Sequence, residues 1–211
     1  AQYASFQPVA AQTSSRKSGQ AAPHLRPVVT REPRILAIGS STGGPQALLT
    51  LLKALPREIN VPVVIAQHMP ATFTTVLAEH LERTSRRPCK EAISGEPIQS
   101  GRIYLAPGDF HFEIVREGTA LLARLNKAPQ ENYCRPSVNP LFRSVAKLFG
   151  AQSACVMLTG MGSDGLDGTR DIASAGGAVI AQDEASSIVW GMPGAIANAG
   201  LCNAILPLSG I

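Results

Sequence analysis

A serine lies at the centre of a short turn that is bounded by glycines. Residues 39–43 read Gly-Ser-Ser-Thr-Gly and match G-x-S-x-G, in which small flanking residues allow a sharp strand-to-helix bend that exposes the central serine, here Ser41. A Gly- and Ser-rich turn can also bind phosphate through backbone N–H groups at a helix N-terminus. The segment matches neither the Walker A pattern nor G-x-G-x-x-G. The motif alone therefore leaves two interpretations open, a nucleophile and an anion-binding loop.

A serine hydroxyl needs a neighbouring base, and His68 has the best position among the four histidines. It follows an apolar segment, residues 61–66, which predicts a strand next to the one that precedes Ser41. His80 lies between two glutamates in a predicted helix, where a solvent-exposed histidine is the simpler interpretation. His24 lies in a polar N-terminal segment. Without the serine motif, His68 itself would be interpreted as a hydrogen-bonded loop histidine.

Asp164 is the best candidate for a carboxylate that orients the imidazole and stabilises its charge. It lies in a glycine-rich turn, residues 159–165, after a predicted buried strand at residues 154–158. An isolated aspartate at this position is more commonly the N-cap of the following helix, so that role remains an alternative. Asp109 and Asp167 are weaker candidates for the acid.

The elements that must position these side chains are predicted to be alternating strands and helices. The apolar runs that predict strands are residues 35–38, 61–66, 102–106, 154–158 and 178–181, and the helical patterns are residues 71–86, 140–149 and 166–175. Because these strands are apolar throughout, we expect an α/β fold: a doubly wound, mostly parallel sheet with helices on both faces. Residues 110–115 and 120–125 flank a turn and predict a small β-hairpin insertion.

The order of these elements places reactive side chains at the ends of strands. Ser41, His68, His111 and Asp164 each follow a predicted strand. In open parallel sheets, sites form at the carboxyl ends of the strands. We therefore expect these four residues to share one edge, with His111 lining the site.

The N-terminal residues 1–33 differ in composition from the rest and predict a linker or tether. They are rich in Ala, Gln, Ser and Pro, lack apolar periodicity, and carry four basic residues against one acidic residue, a net charge of +3. That leaves +1 of the total of +4 for residues 34–211, the predicted catalytic domain. A near-neutral domain lacks the basic face that phosphate binding requires, which argues against nucleic acid as a partner.

Cysteine usage and hydropathy favour a cytoplasmic protein. The four cysteines include no CxxC pair and lie in a chain too long to depend on disulfides, which favours a reducing compartment. No apolar run approaches the ~20 residues of a membrane-spanning helix, so we expect no direct membrane insertion. The histidines lack ligand spacing such as H-E-x-x-H, and the sequence predicts no metal and no cofactor.

Taken together, several stretches resemble the chemotaxis-type protein-glutamate methylesterases, that is, CheB-type catalytic domains. The resemblance extends from about Arg34 to Pro207. It rests on residues 38–44, 67–69, 106–108 with His111, 135–138, 158–165, 181–184 and 191–193.

Carried over residue by residue, the resemblance implies a catalytic triad. Ser41 corresponds to the nucleophile, His68 to the base and Asp164 to the orienting acid. Thr42 and Met161 lie on matching motif positions, so the resemblance implies that they line the site, with the Met161 backbone N–H as an oxyanion donor. The chain order Ser, His, Asp differs from that of α/β-hydrolases and of the familiar serine proteases.

The resemblance also implies an activity and partners. The implied reaction is hydrolysis of glutamyl methyl esters on chemoreceptor-type signalling proteins through an acyl-enzyme, with glutamine deamidation as a second activity. The resemblance further implies that this reaction resets receptor adaptation. A phosphorylatable receiver domain is expected before the tether in a longer parent protein, and through it a histidine kinase.

Two other functions remain as alternatives. One is a non-catalytic regulatory module whose glycine loop binds a phosphate or nucleotide. The other is an esterase or amidase that acts on small molecules with the same site.

Overall fold

The computed structural model describes residues 24–29 and 31–211. Within this part of the chain the strands are β1 (Ile35–Ser40), β2 (Val63–Gln67), β3 (Cys89–Glu91), β4 (Ile103–Leu105), β5 (His111–Glu117), β6 (Ala120–Asn126), β7 (Ser153–Met157), β8 (Ala178–Gln182) and β9 (Ala204–Leu206). The α-helices of the same part are α1 (Gly44–Ala54), α2 (Ala71–Ser85), α3 (Val138–Phe149), α4 (Leu166–Ser174) and α5 (Met192–Asn198). Short 3₁₀ turns lie at Gly150–Gln152 and Leu208–Gly210.

Seven of the described strands form one sheet in the order β3-β4-β2-β1-β7-β8-β9. Every pairing in this sheet is parallel. The central strands are buried along nearly their whole length, which explains why their sequences are apolar throughout. The predicted parallel α/β sheet is thus confirmed.

Helices cover both faces of the sheet. On one face, Ile38 of β1 packs in a cluster with Leu48 of α1 and Leu81 of α2. On the other face, Ala37 of β1 packs in a second cluster that includes Phe142 of α3. Since successive strand residues point to opposite faces, β1 contributes to both clusters. The doubly wound architecture is confirmed.

The predicted β-hairpin is also present. Strands β5 and β6 pair antiparallel around a turn at Gly118, which has a φ of +58° that favours glycine. The hairpin packs on α3 through Phe112 and Ile114, which are buried in the same cluster as Phe142. β5 begins one residue later and ends two residues later than predicted, and β6 ends one residue later than predicted.

The order of the strands sets where a site can form. The strands β2, β3 and β4, which follow β1 in the chain, lie on one side of β1 in the sheet. The later strands β7, β8 and β9 lie on its other side, so the strand order reverses at β1. A reversal of this kind leaves a crevice at the carboxyl ends of the strands, and ligands bind there in open α/β sheets. The loops after β1, β2 and β7 meet at that crevice.

Residues 24–29, at the end of the predicted tether, lie against the domain. The backbone N–H of Arg26 donates to the Cys202 carbonyl at 2.7 Å. Its guanidinium donates to the carbonyls of Ala173 at 2.7 Å and Gly177 at 3.3 Å. Most of the predicted tether, residues 1–23 and 30, lies outside the described residues, and its role stays a prediction.

Across residues 24–29 and 31–211, no helix combines the length and the apolar character needed to cross a bilayer.

Candidate functional site

The first two strands bring Ser41 and His68 next to each other. Ser40 and Gln67, the last residues of β1 and β2, are paired in register. The backbone N–H of His68 continues the ladder by donating to the Ser40 carbonyl at 3.1 Å. The two residues that follow the paired strand ends therefore begin side by side.

The environments of the two adjacent serines differ. Ser40 is fully buried in β1, and its hydroxyl donates to Oε1 of Gln67 at 2.7 Å. Ser41 is half-buried in the turn, and its backbone N–H donates to the Thr159 carbonyl at 3.0 Å. Of the two hydroxyls, that of Ser41 is therefore the one that a substrate can reach.

Gln67 holds the two loops together, a role that the sequence analysis did not identify. Its side chain is 1% exposed. Its Nε2 donates to the Ser41 carbonyl at 3.0 Å and to the His68 carbonyl at 2.9 Å, while its Oε1 accepts from Ser40. One amide thus fixes the backbone positions of both residues.

The turn after β1 depends on close packing at Gly44. A Cβ at Gly44 would lie 2.0 Å from Oε1 of Gln67 and 2.8 Å from Cβ of Ser40. The preceding Gly43 has a φ of +80°, which a glycine adopts without strain. These two glycines let α1 begin immediately behind Ser41.

Asp164 contacts His68 directly. Its Oδ2 lies 2.7 Å from Nε2 of His68, and its side chain is only 2% exposed. Its Oδ1 accepts from the Ser137 hydroxyl at 2.6 Å and from Nδ2 of Asn132 at 3.0 Å. The backbone N–H of Val138 donates to Oδ2 at 2.7 Å. Both oxygens of this buried carboxylate therefore accept hydrogen bonds, as a buried charge requires.

Asp164 is not the N-cap of the helix that follows it. The N-cap of α4 is Gly165, and no side chain accepts a hydrogen bond there. The carboxylate instead lies at the N-terminus of α3, where the N-cap is Ser137 and the first residue is Val138. The positive end of that helix favours a negative charge.

The same contacts change the pKa values of the pair in opposite directions. Burial lowers the pKa of His68, but the hydrogen bond to Asp164 and the contact with Cys134 raise it, and the result is about 9. Burial raises the pKa of Asp164, and hydrogen bonds from His68, Ser137 and Val138 outweigh that effect and hold the pKa below its usual range. The pair therefore favours an imidazolium next to a carboxylate.

The second ring nitrogen of His68 faces Cys134. Nδ1 lies 3.5 Å from Sγ of Cys134, a half-buried residue that the sequence analysis did not single out. Among the described residues, no side-chain hydrogen bond joins Ser41 to His68. Since Nε2 is engaged by Asp164, Nδ1 is the nitrogen left to accept a proton.

Backbone N–H groups are available near Ser41. In the described part of the chain, the N–H groups of Thr42 and Met161 donate to no backbone carbonyl. Both side chains are exposed, that of Met161 by 67%. Between Met161 and the end of β7 lies Gly160, where a Cβ would come within 2.9 Å of Cβ of Ser41. The loop after β7 thus approaches the serine closely.

His111 lies beneath the site. It is 1% exposed, its Nε2 lies 3.0 Å from the Pro129 carbonyl, and its Nδ1 accepts from the backbone N–H of Ser137 at 3.2 Å. Because Ser137 donates to Asp164, His111 supports the segment that holds the carboxylate. That it lines a substrate site stays a prediction.

The surface around these residues is open and partly apolar. A groove beside His68 is lined by residues that include Met69, Pro70, Tyr133 and Arg135. Tyr133 is 96% exposed and forms the rim of the groove. An open edge of this kind is accessible to a macromolecule as well as to a small ligand.

Comparisons with known proteins agree with this architecture. The family model for CheB methylesterase matches residues 36–211. The crystal structure of the Thermotoga maritima CheB methylesterase catalytic domain is similar with a TM-score of 0.82 and 37% sequence identity, covering 85% of this chain and 95% of that one.

Relatives with similar sequences carry two activity names. A protein-glutamate methylesterase/protein-glutamine glutaminase of group 2 operon from Bradyrhizobium diazoefficiens is 58% identical over 187 residues, which are 88% of this chain and 47% of that protein. A protein-glutamate methylesterase/protein-glutamine glutaminase from Rhodopseudomonas palustris is 55% identical over 195 residues, which are 92% of this chain and 51% of that protein. The chain spans about half the length of these relatives. It belongs to the CheB methylesterase family.

Proposed function

We propose that this chain is a serine hydrolase that removes methyl groups from glutamyl methyl esters on chemoreceptor-type signalling proteins, and that this reaction resets receptor adaptation. The observation that carries the proposal is the contact between buried Asp164 and half-buried His68, with 2.7 Å between Oδ2 and Nε2, beside the accessible Ser41. The names of the relatives, protein-glutamate methylesterase/protein-glutamine glutaminase, support the reaction.

In this mechanism Ser41 is the nucleophile and His68 is the base. The Ser41 hydroxyl attacks the ester carbonyl while Nδ1 of His68 takes its proton. Asp164 holds Nε2 in its protonated tautomer and stabilises the imidazolium that forms. The imidazolium then donates its proton to the departing methoxide, so methanol leaves and the glutamyl group stays on Ser41. Water, activated by the same imidazole, releases the glutamate.

The negative charge that develops on the carbonyl oxygen needs hydrogen-bond donors. We assign this role to the Met161 backbone N–H, with Thr42 lining the same position, because both N–H groups lack backbone acceptors in the described chain. The closeness of Gly160 to Ser41 supports this assignment, since it places the loop with Met161 over the nucleophile.

The same arrangement suits deamidation of glutamine side chains as a second activity. Ammonia is a poorer leaving group than methanol, so this reaction depends more strongly on proton donation by His68. The hydrogen bond to Asp164 raises the pKa of His68 and so stabilises the imidazolium that forms once neutral His68 has taken the Ser41 proton, and that imidazolium is the proton donor for this step. The relatives' second name, protein-glutamine glutaminase, agrees with it.

We further propose that the domain acts in the cytoplasm as part of a longer regulated protein. In that protein a receiver domain, phosphorylated by a histidine kinase, precedes the tether and restrains the esterase until it is phosphorylated. The greater length of the matched relatives supports an additional domain. The open groove beside His68 would be accessible to such a domain and to a receptor.

The test measures methanol released from membranes that carry radiolabelled methylated receptor. The unaltered chain should release methanol, and Ser41→Ala should lower the rate by on the order of 10⁴- to 10⁶-fold. Ser40→Ala is the matched control, because it removes the neighbouring buried hydroxyl, and it should have a mild effect. Full activity of Ser41→Ala would refute the nucleophile, and activity on p-nitrophenyl acetate with none on methylated receptor would favour a small-molecule esterase.

A further inference from the structure

Cys134 and His68 present two metal-ligand atoms to each other. Sγ of Cys134 lies 3.5 Å from Nδ1 of His68. Together with Asp164, each of these residues offers one ligand atom within 4.8 Å of the others. Thiolate and imidazole are the ligands that Zn²⁺ prefers.

The separation of the two atoms fits a shared zinc ion. Zinc binds sulfur at about 2.3 Å and histidine nitrogen at about 2.0–2.1 Å with tetrahedral angles, so the sulfur and nitrogen of one site lie about 3.6 Å apart. The observed separation of 3.5 Å matches that value. The separation of the two atoms is therefore the one that a shared zinc ion requires.

Asp164 has the position of a supporting group for such a site. Its Oδ2 lies 2.7 Å from Nε2 of His68, so in the neutral imidazole the proton stays on Nε2 and the lone pair is on Nδ1. Metal-binding histidines almost always donate their other N–H to a carboxylate, a carbonyl or water. Because Ser137, Asn132 and Val138 already occupy the other acceptor positions of Asp164, the carboxylate stays outside the coordination shell.

A tight turn holds Cys134 in place. The backbone groups of Glu131 and Cys134 hydrogen-bond to each other, with N–H to carbonyl distances of 3.3 and 2.9 Å. Asn132 and Tyr133 between them have φ values of 50° and 62°. Cys134 is half-buried, whereas Cys89, Cys155 and Cys202 are buried. The thiol next to His68 is thus both positioned and reachable by an ion.

We propose that Cys134 and His68 form a binding site for Zn²⁺ and that the bound ion inhibits the hydrolase. As the zinc–sulfur and zinc–nitrogen bonds form, the Cys134 thiol and the Nδ1–H of the His68 imidazolium each lose their proton to solvent, and water fills the remaining positions. No electron is transferred. With its lone pair on zinc, Nδ1 cannot take the proton of Ser41. The binding site stands on geometry alone, and only the inhibition rests on the proposed function.

Binding is tested with Co²⁺ as a spectroscopic substitute for zinc. The chain with Ser41→Ala should show the absorption of a cobalt–thiolate bond, and Zn²⁺ should abolish it by competition. Cys134→Ser, which keeps the three buried cysteines, should weaken binding at least about tenfold, as should His68→Gln. Far-ultraviolet circular dichroism checks the fold of each variant. Absence of the thiolate band in folded protein, or unchanged binding by Cys134→Ser, would overturn the site.

Inhibition is tested by ester hydrolysis with increasing Zn²⁺, each variant being compared with its own zinc-free rate. The unaltered chain should lose activity and regain it when a chelator is added, Mg²⁺ should have no effect, and Cys134→Ser should need at least about tenfold more zinc. An active enzyme that zinc does not inhibit would overturn the inhibition. A chain that binds cobalt but hydrolyses no ester would instead contradict the proposed function and leave the metal site standing.

Discussion

Replacing Asp164 by asparagine removes the charge beside His68 while it keeps the shape of the side chain. The carboxylate accepts two hydrogen bonds on each oxygen, whereas an amide offers one oxygen and one NH₂ group. On the Oδ2 side the NH₂ would face Nε2–H of His68 and the backbone N–H of Val138. On the Oδ1 side it would face Asn132 and the hydroxyl of Ser137, which can rotate to accept. We therefore expect the NH₂ to replace Oδ1, so that the oxygen still holds the tautomer of His68.

The expected loss in rate follows from the charge of this pair. The contacts of His68 raise its pKa from 6.5 to about 9 although burial lowers it, which corresponds to about 3 kcal/mol of stabilisation of the imidazolium. The hydrogen bond to Asp164 is the largest of the contacts that raise this pKa, and the contact with Cys134 also raises it. If the transition state contains that imidazolium, Asp164→Asn therefore lowers the limiting kcat/KM by up to on the order of 10²-fold. If the substitution also moves the proton of neutral His68 from Nε2 to Nδ1, the loss in rate approaches the ~10⁴-fold known for the equivalent change in a chymotrypsin-type triad.

The size of the loss depends on pH, because the substitution also lowers the pKa of His68. In the unaltered chain kcat/KM rises with pH as neutral His68 becomes available and reaches its plateau only above about pH 9. In the variant the neutral form is already available near pH 6.5 or below. The difference between the two proteins is therefore smallest near neutral pH and largest above pH 9.

The assay is methanol release from methylated receptor, followed from about pH 6 to about pH 10 with the uncatalysed rate subtracted. The matched control is Asp167→Asn, because Asp167 is an exposed aspartate of α4 that pairs with Arg170 away from the imidazole. The control should retain the rate and the pH profile of the unaltered chain. Activity of Asp164→Asn within about threefold of the unaltered chain above pH 9, with the same pH profile, would refute the orienting role.

Three further substitutions test other parts of the site. Gly160→Ala should lower kcat by about tenfold or more in folded protein, measured by ester hydrolysis with thermal unfolding as the control, because its Cβ would lie 2.9 Å from that of Ser41. Cys134→Ser should shift the pH profile of kcat/KM to lower pH, because the thiol contact is one cause of the raised pKa of His68; an unchanged profile would contradict this cause. Arg26→Ala should lower the free energy of unfolding by about 1–2 kcal/mol in urea titration, because it removes hydrogen bonds that the guanidinium donates to backbone carbonyls. Since those carbonyls lie far from the site, the rate of ester hydrolysis should stay unchanged.

Much of the fold could be predicted because buried parallel strands carry a simple apolar signal. The run at residues 35–38 and the glycine turn after it correctly predicted β1 and the start of α1. The edge strand β3 was not predicted, since it has only three residues and its central Lys90 is exposed. A strand so short and half-solvated has no hydrophobic periodicity to detect.

The contacts that position the candidate residues were harder to predict because they join distant parts of the chain. Ser137 contacts Asp164 across 27 residues, and Cys134 contacts His68 across 66. The turn that holds Cys134 has positive φ values at Asn132 and Tyr133; asparagine tolerates this conformation, but tyrosine does not signal it. No periodicity or turn motif reports such long-range contacts.

Asp164 has the local sequence of a helix N-cap, but the helix that it contacts is not the one that follows it in the chain. An aspartate in a glycine-rich turn before a helix is typical of an N-cap, and the helix that follows it is α4. The carboxylate nevertheless accepts from the first N–H of α3, which comes 26 residues earlier in the chain. The preference of a carboxylate for a helix N-terminus was relevant, but tertiary packing selected which helix.

The central claim, that His68 and Asp164 activate Ser41 as the nucleophile, is tested most directly by covalent labelling with a fluorophosphonate, a reagent that reacts with base-activated serines. Mass spectrometry of the digested protein should find one equivalent of label on the peptide with Ser41. The label should be lost in Ser41→Ala and His68→Gln, and retained in Ser40→Ala. Label on Ser40, or labelling that survives Ser41→Ala, would contradict the account.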